Sequence, residues 1–410
     1  MRLLSAWLIF VFASVCLADV ETTSVLPQGV FSPKFIFGIE TGLEERYNSV
    51  GLLEGVADQY HFDMTGSSLA KLVPQLSQLV SVLNGYSPSE QLGNELTLGT
   101  MDFKAQPVIN YFAPTMSYGL SQNFSIGFGI PIIHYQNTMQ VVSAGGNAQA
   151  LGAYVAGSNP DVTNALNTLV SAANNMTATL NGVLAAKGYQ PLREVDLTYP
   201  GDLQISGVYK YYSSSLWRLA LRPYLQVPTG HKNNPDDLMD ITTGGQPAVG
   251  LFSIHELILD RHWTLVSSAG YQANIQDTVD VRVPNGPDDF LPGPNQEGTV
   301  TRKTGNTIYL EGGAAYTPWR SLEIRGLYDF SQKDPDWFDG NQGWDYSILS
   351  TDTGVQTQTV HAMAELSTID WFLNKEFAAP LMLGYIYGNT IYAINAPNQV
   401  THQIYLRMFF

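Results

Sequence analysis

Hydrophobic and polar positions alternate with a period of two along much of this chain. The clearest run is 217–228, where Trp217, Leu219, Leu221, Pro223, Leu225 and Val227 share one side and Arg218, Ala220, Arg222, Tyr224 and Gln226 the other. Successive side chains on a strand point to opposite faces, so such a run is a strand with one apolar and one polar face. The same alternation predicts about twelve strands, at 34–43, 101–118, 123–142, 202–212, 217–228, 248–259, 263–283, 306–317, 321–330, 357–368, 381–394 and 400–410.

The connections sort by parity. Segments 119–122, 213–216, 260–262, 318–320 and a stretch around 374–379 are short, whereas 44–100, 143–201, 229–247, 284–305 and 331–356 are long, and only 395–399 breaks the rule. Short turns at one end and long loops at the other are the layout of a transmembrane barrel with both termini in the periplasm. A soluble β-sandwich, the alternative, has no reason to sort its loops this way. The last strand carries Ile404, Leu406, Met408 and Phe410 on one side and Gln403, Tyr405 and Arg407 on the other. It resembles the closing strand of bacterial outer-membrane barrels, whose terminal Phe is read by the barrel insertion machinery.

Residues 1–18 combine Arg2, the apolar run 3–15 and a small residue, Ala18, before Asp19. This is the layout of a secretory signal, too short for a spanning helix. A lipidated Cys16 is the alternative, disfavoured by Val15. If Cys16 leaves with the signal, packing and backbone pairing alone must stabilise the exported chain. The expected organisation is a signal peptide, 1–18, and one all-β domain, 19–410. That domain is a transmembrane antiparallel up-and-down barrel with short helices in long extracellular loops, in the outer membrane of a Gram-negative bacterium.

Composition agrees. The 37 glycines, 22 tyrosines and 18 phenylalanines suit strands, turns and interfacial aromatic girdles. The net charge of −16 argues against a nucleic-acid partner. Much of the acid falls in loops, as Asp236, Asp237 and Asp240, Asp288 and Asp289, and Asp334, Asp336, Asp339 and Asp345. These are either solvated loop surface or divalent-cation bridges to lipopolysaccharide.

Two long loops carry a helical period. In 67–83, Leu69, Leu72, Val73, Leu76, Leu79, Val80 and Leu83 recur at three- and four-residue steps, with Pro74 expected to bend or shorten the helix. In 161–186, Leu166, Leu169, Val170, Ala173, Met176, Leu180, Val183 and Leu184 do the same, between an N-cap at Asp161 and a stop at Gly188. Such stripes either pack together as a cap on the barrel mouth or form a surface pocket that captures hydrophobic solutes.

If the apolar partners face lipid, then Lys210, Arg218, Arg222, Glu311, Glu323, Arg325, Asp329, Glu365 and Arg407 point into the lumen. A lipid-facing Arg or Lys near the midplane would cost about 2–4 kcal/mol, which decides the assignment. These charges either brace a narrow barrel or line a conduit. No histidine pattern points to a metal, and no cofactor motif is present. The run Asp334, Asp336, Asp339 departs from a calcium loop in spacing and lacks a closing Glu. Barrel phospholipases pair Ser and His on a strand; here only Ser253 and His255 come near, in reversed order, so no enzyme is expected.

The stretch Gly201-Asp202-Leu203-Gln204 to Tyr209, then 218–225 and Pro228-Thr229-Gly230-His231, is similar to the phenol-degradation MetA-type outer-membrane family. There a Gly-Asp opens one strand and a Pro-Thr-Gly ends the next. The resemblance covers about residues 200–270 and the terminal strand. It implies a barrel that passes small hydrophobic or aromatic solutes. Related long-chain fatty-acid transporters carry an N-terminal hatch. Only about fifteen residues separate Ala18 from the first strand, too few for such a plug, so the loop helices are expected to close the barrel instead. The expected function is a passive channel without covalent chemistry; the alternative is a closed, adhesive barrel whose loops bind lipopolysaccharide or cells.

Overall fold

A computed structural model of the chain describes residues 22–58, 62–68, 74–86, 89, 91–155, 160–286, 289 and 291–410. The expected signal peptide lies outside them. The main sheet contains β1 (Phe31–Thr41), β2 (Thr97–Ser121), β3 (Phe124–Gly129), β4 (Ile132–Ala144), β5 (Val195–Pro200), β6 (Leu203–Ser213) and β7 (Trp217–Val227). It continues with β8 (Ala248–Ile258), β9 (Trp263–Asn274), β10 (Thr307–Trp319), β11 (Leu322–Lys333), β12 (Val355–Ser367), β13 (Leu381–Ile394) and β14 (Val400–Met408).

Strand β1 pairs antiparallel with β14 on one edge, Lys34 opposite Arg407, and with β2 on the other, Lys34 opposite Thr115. That double pairing closes a barrel of 12 antiparallel strands. Beyond the last strand, Phe410 exchanges both backbone hydrogen bonds with Phe31, at 2.9 and 3.0 Å. No helix among the described residues is long and apolar enough to cross a membrane. Here the strands cross it.

Burial alternates along β1. Ser32, Lys34, Ile36 and Glu40 are buried inside, while Phe37 and Ile39 are exposed outside. The exposed outer face continues through Leu251, Leu265, Leu310, Ile324, Leu383 and Ile404. At the short-turn end it becomes aromatic with Tyr209, Trp217, Trp263, Tyr316 and Trp319, the rings of Trp263 and Tyr316 being 4.7 Å apart. An apolar band with an aromatic rim is what a barrel presents to lipid. This closed barrel belongs in a Gram-negative outer membrane, and its short turns mark the periplasmic end.

Two strands are broken at one level. β3 and β4 are halves of one strand interrupted at Ile130 and Pro131; β5 and β6 are halves of the next, interrupted at Gly201 and Asp202. Proline has no N–H to give the ladder. Its carbonyl takes the Gly201 N–H at 2.7 Å, and a Cβ at Gly201 would lie 2.5 Å from Pro131 Cγ. Above the break the outer face turns polar. Asn110, His134 and Thr198 stand side by side, His134 Nδ1 is 2.9 Å from Thr198 Oγ1, and Gln136 donates to Asp196 at 3.0 Å. The upper parts of β2, β4 and β5 therefore rise beyond the hydrocarbon layer.

Several expected elements differ in extent. The strand expected over 263–283 stops at Asn274, because Ile275 N–H turns to Pro247 O at 2.8 Å. Asp277–Arg282 instead forms an outer-loop sheet with Glu297–Lys303 and Trp337–Asp339. The loop helices are α1 (Pro74–Tyr86), α2 (Ala148–Val155), α3 (Pro160–Asn174) and α4 (Met176–Ala186). The helix expected over 161–186 is thus two, broken at Asn175, whose φ of −114° and ψ of 39° leave the helical region. Gly188 ends α4 in the left-handed region at φ +80°, with Tyr189 N–H returning to Leu184 O at 2.8 Å.

Leu221→Arg, on the outward face near the middle of β7, is expected to destabilise the barrel by about 2–4 kcal/mol. Urea titration of folding into lipid vesicles measures it; Arg222, one residue away and inward, is the internal control.

Candidate functional site

The barrel interior is the candidate site. Strand register puts the inward residues in cross-strand rows. Arg218 stands opposite Glu256, with Nη1 3.6 Å from Glu256 Oε2. Lys210 stands opposite buried Ala220. Arg222 faces Phe252 across the β7–β8 pair and lays its guanidinium over that ring at 4.2 Å. Glu311 lies between Ser268 and Asp329. Asp329 Oδ2 is 2.8 Å from His361 Nε2, and Arg325 donates to Glu323 at 2.5 Å. Tyr405 donates to Glu365, Lys34 sits over the Tyr405 ring at 4.1 Å, and Arg407 Nε donates to Ser32 Oγ at 2.8 Å. All nine charges named from the strand period share the inward face.

The interior is not only polar. A buried apolar cluster runs within the barrel through Val266, Leu327, Met363, Ile386, Tyr405, Ile36, Tyr111, Ile109, Ile133 and Tyr135. Leu43, just past β1, and two residues of a long loop join it from outside the wall. Met239 and Ile241, 1% and 0% exposed, belong to the extracellular loop 228–247, which folds into the mouth and joins the cluster. The acids around them shape that fold. Asp237 Oδ1 accepts from Met239 N–H at 3.0 Å, Asp240 accepts from Ile241 N–H and Asn234 N–H at 2.9 and 2.8 Å, and His231 Nε2 is 2.8 Å from Asp240 Oδ2. Arg193 grips Asp237 through Nη1 at 3.0 Å, and the His231 ring stacks on Tyr199 at 3.8 Å.

The Gly-Asp and Pro-Thr-Gly segments meet at the root of this loop. Asp202 Oδ1 accepts from Gly230 N–H at 2.8 Å and Gly245 N–H at 2.7 Å, while Oδ2 accepts from Gln226 at 2.7 Å. Thr229 Oγ1 donates to Gly201 O at 3.1 Å and accepts from Leu203 N–H at 2.8 Å. At Gly244, with φ +151°, a Cβ would meet the Asp202 carboxylate at 2.5 Å. Pro228, just past β7, has no N–H to extend the ladder. The residues form a buckle that bends the loop inward. Their spacing in the sequence shows the pairing of strands but not this fastening.

A second segment enters from the periplasmic end. Thr23 N–H and Oγ1 donate to the two Glu256 oxygens at 3.0 and 2.7 Å, Thr22 Oγ1 donates at 3.1 Å, and Leu26 N–H donates to Ser125 Oγ at 2.7 Å. These residues are expected to be too few for a hatch-like plug; Thr22, Thr23 and Leu26 nonetheless enter the rim. A few extended residues suffice, because Glu256 and Ser125 offer partners just inside the rim. Glu256, Lys34, Glu40, Met239 and Ile241 are further inward residues, beyond the nine charges. The apolar run Leu238-Met239 with Ile241 inside an Asp-rich loop is the one signal that could have found the mouth plug.

The helices pack on one another, α1 and α2 against α3, with contacts from α3 to β2 and α4 to β4. Val80, Leu83, Val162, Leu166 and Leu184 are buried, and Leu180 packs with Leu184, Tyr189 and Leu291. Leu69 and Leu72, and the side chains of Leu76, Leu79, Leu169 and Met176, lie outside the described residues. Ser253 Oγ is 2.8 Å from His255 Nε2, on the lipid-facing side of β8 opposite Leu221 and Leu219. Asp336 is spent on Lys333 at 2.5 Å and on Gly305 N–H, and among the described residues no three His, Cys, Asp or Glu side chains cluster as a metal site.

No protein-family model matches the chain, and no curated protein matches it. Among solved structures, an outer membrane channel from Pseudomonas putida F1 is 14% identical with a TM-score of 0.53, covering 96% of this chain and 100% of that one. At that identity the likeness is one of fold, a closed antiparallel β-barrel. The narrower resemblance to the phenol-degradation family is not matched by a family model. The CymD monoaromatic hydrocarbon channel has 8% identity and a TM-score of 0.33, covering 94% of this chain and 89% of that one. The NanC porin has 7% identity and a TM-score of 0.32, covering 75% and 98%.

Outside the membrane, burial pushes the Tyr189 phenol up to about 12, against the pull of the Arg282 guanidinium 4.0 Å over its ring. An unfolded phenol loses its proton near 10. The contribution of the buried Tyr189 phenol to loop stability is therefore fully present below about pH 10 and is lost as the pH rises through about 12. The ultraviolet difference titration between the chain and Tyr189→Phe is expected to show a phenol titrating near 12 rather than 10.

Proposed function

We propose that this protein is a passive outer-membrane channel for small hydrophobic or aromatic solutes, working without covalent chemistry. The carrying observation is the apolar cluster inside the barrel, reaching from Val266 to Met239 and Ile241 in the mouth. The lumen of an outer-membrane barrel is ordinarily polar. An apolar seam offers a hydrophobic solute contacts that water cannot compete for. The nine inward charges flank that seam, brace the wall and set which polar groups a passing solute can carry.

On this reading, loop 228–247 is a gate. Burying Met239 and Ile241 is worth roughly 3–6 kcal/mol together, so the loop stays seated until a solute of comparable apolar area replaces it. The α1–α4 layer caps the mouth and delivers the solute to the loop. One observation favours the second reading, a closed structural or adhesive barrel. The apolar cluster is packed like a core, and both ends are filled, by Met239 and Ile241 above and by Thr22 and Thr23 below.

Conductance in planar bilayers separates the two. Met239→Ser with Ile241→Ser is expected to raise conductance and speed uptake of a monoaromatic hydrocarbon. Removal of residues 67–83 raises it further if α1 is part of the cap. A barrel that conducts and takes up nothing in any of these forms overturns the channel reading.

A further inference from the structure

We propose that residues 368–380, the periplasmic connection between β12 and β13, form an anchor seated in the phospholipid leaflet of the outer membrane. The other periplasmic connections are tight turns, at 122–123, 214–216, 259–262 and 320–321. This one holds a helical turn, α5 (Ile369–Leu373), and is closed on itself. Thr368 ties its base, with Oγ1 donating to Ala379 O at 2.7 Å and accepting from Leu381 N–H at 2.9 Å. Asn374 N–H returns to Asp370 O at 3.0 Å, Glu376 N–H to Trp371 O at 2.7 Å, and Lys375 turns the chain at φ +64°. The Trp371 and Phe377 rings lie 6.5 Å apart.

A connection this well ordered nevertheless leaves its apolar side chains uncovered. Leu373 is 70% exposed, Phe377 45% and Phe372 40%. Clustered exposed apolar side chains mark a surface that something covers. Lipid is the occupant because the patch continues the lipid-facing belt. Leu366 and Leu383, the outward residues flanking the connection on β12 and β13, are exposed members of that belt, and Phe409 N–H reaches Pro380 O at 3.2 Å, bringing the exposed Phe410 alongside. The N–H groups of Phe372, Asn374, Lys375 and Glu376 are bonded within the turn, which lowers the cost of an apolar setting. Asn374, Lys375 and Glu376 sit together at its polar end, where Lys375 can reach anionic headgroups. The geometry is that of a short interfacial helix beside a girdle.

The proposal is independent of what the lumen carries. Nitroxide labels at Leu373→Cys and Phe377→Cys test it, in a full chain with Cys16→Ser, reconstituted into phosphatidylethanolamine–phosphatidylglycerol vesicles. Leu383→Cys serves as the lipid reference and Asn341→Cys as the water reference, and heat-modifiable migration verifies each barrel. The ratio of oxygen to nickel-chelate collisions at 373 and 377 is expected to match Leu383→Cys and to exceed Asn341→Cys several-fold. A ratio equal to that of Asn341→Cys overturns the anchor. So does spin–spin broadening that disappears on dilution with unlabelled protein, which assigns the patch to a second copy. Labels open to nickel in vesicles but shielded in isolated outer membranes assign it to a periplasmic protein and also overturn it.

Discussion

Lipid offers no partner to a backbone N–H or C=O, so the whole structure depends on the sheet closing on itself. The closing contact is β1, paired with β14 through Lys34–Arg407 and with β2 through Lys34–Thr115. Once the ring is closed, the period of two decides everything else about the wall. Within the membrane, every second residue faces hydrocarbon and the rest face inward. Large inward rings then need flat space on the next strand, which glycine supplies. A Cβ at Gly38 would strike the Tyr111 ring, one at Gly384 the Tyr405 ring, and one at Gly270 the Phe252 ring, each well inside contact distance.

That packing gives the interior its mixed chemistry. Rings laid against the wall carry cations on their faces, as Lys34 does on Tyr405 and Arg222 on Phe252. Between them runs the apolar seam, and the seam is what draws Met239 and Ile241 into the mouth. The acidic loop does not repel its surroundings there. Its carboxylates accept the loop's own N–H groups or pair with Arg193, Arg282 and His231. Acid that looks like solvated surface in the sequence is internal scaffolding in the fold.

The inward charges were legible because alternation along a strand is a local property, and each of Arg218, Arg222, Glu323 and Arg407 has apolar neighbours on both sides. The Gly201-Asp202 and Pro228-Thr229-Gly230 segments were legible as a pattern but not as a device. Asp202 finds Gly230 and Gly245 only after β6 and β7 have paired and the loop has doubled back. The entry of Thr22 and Thr23 is harder still, since Glu256 lies more than two hundred residues away and nothing in a short threonine run announces a partner.

By itself the sequence determined the wall: strands, turns at one end, loops at the other, an apolar outside and charges inside. Those follow from period, length and the cost of putting charge in lipid, all of which are properties of neighbours in the chain. Tertiary structure alone decided what fills the barrel. Which loop folds in, which rings meet which glycines, and where the N-terminal residues end depend on contacts between segments far apart in sequence, and no local rule orders those until the ring has closed.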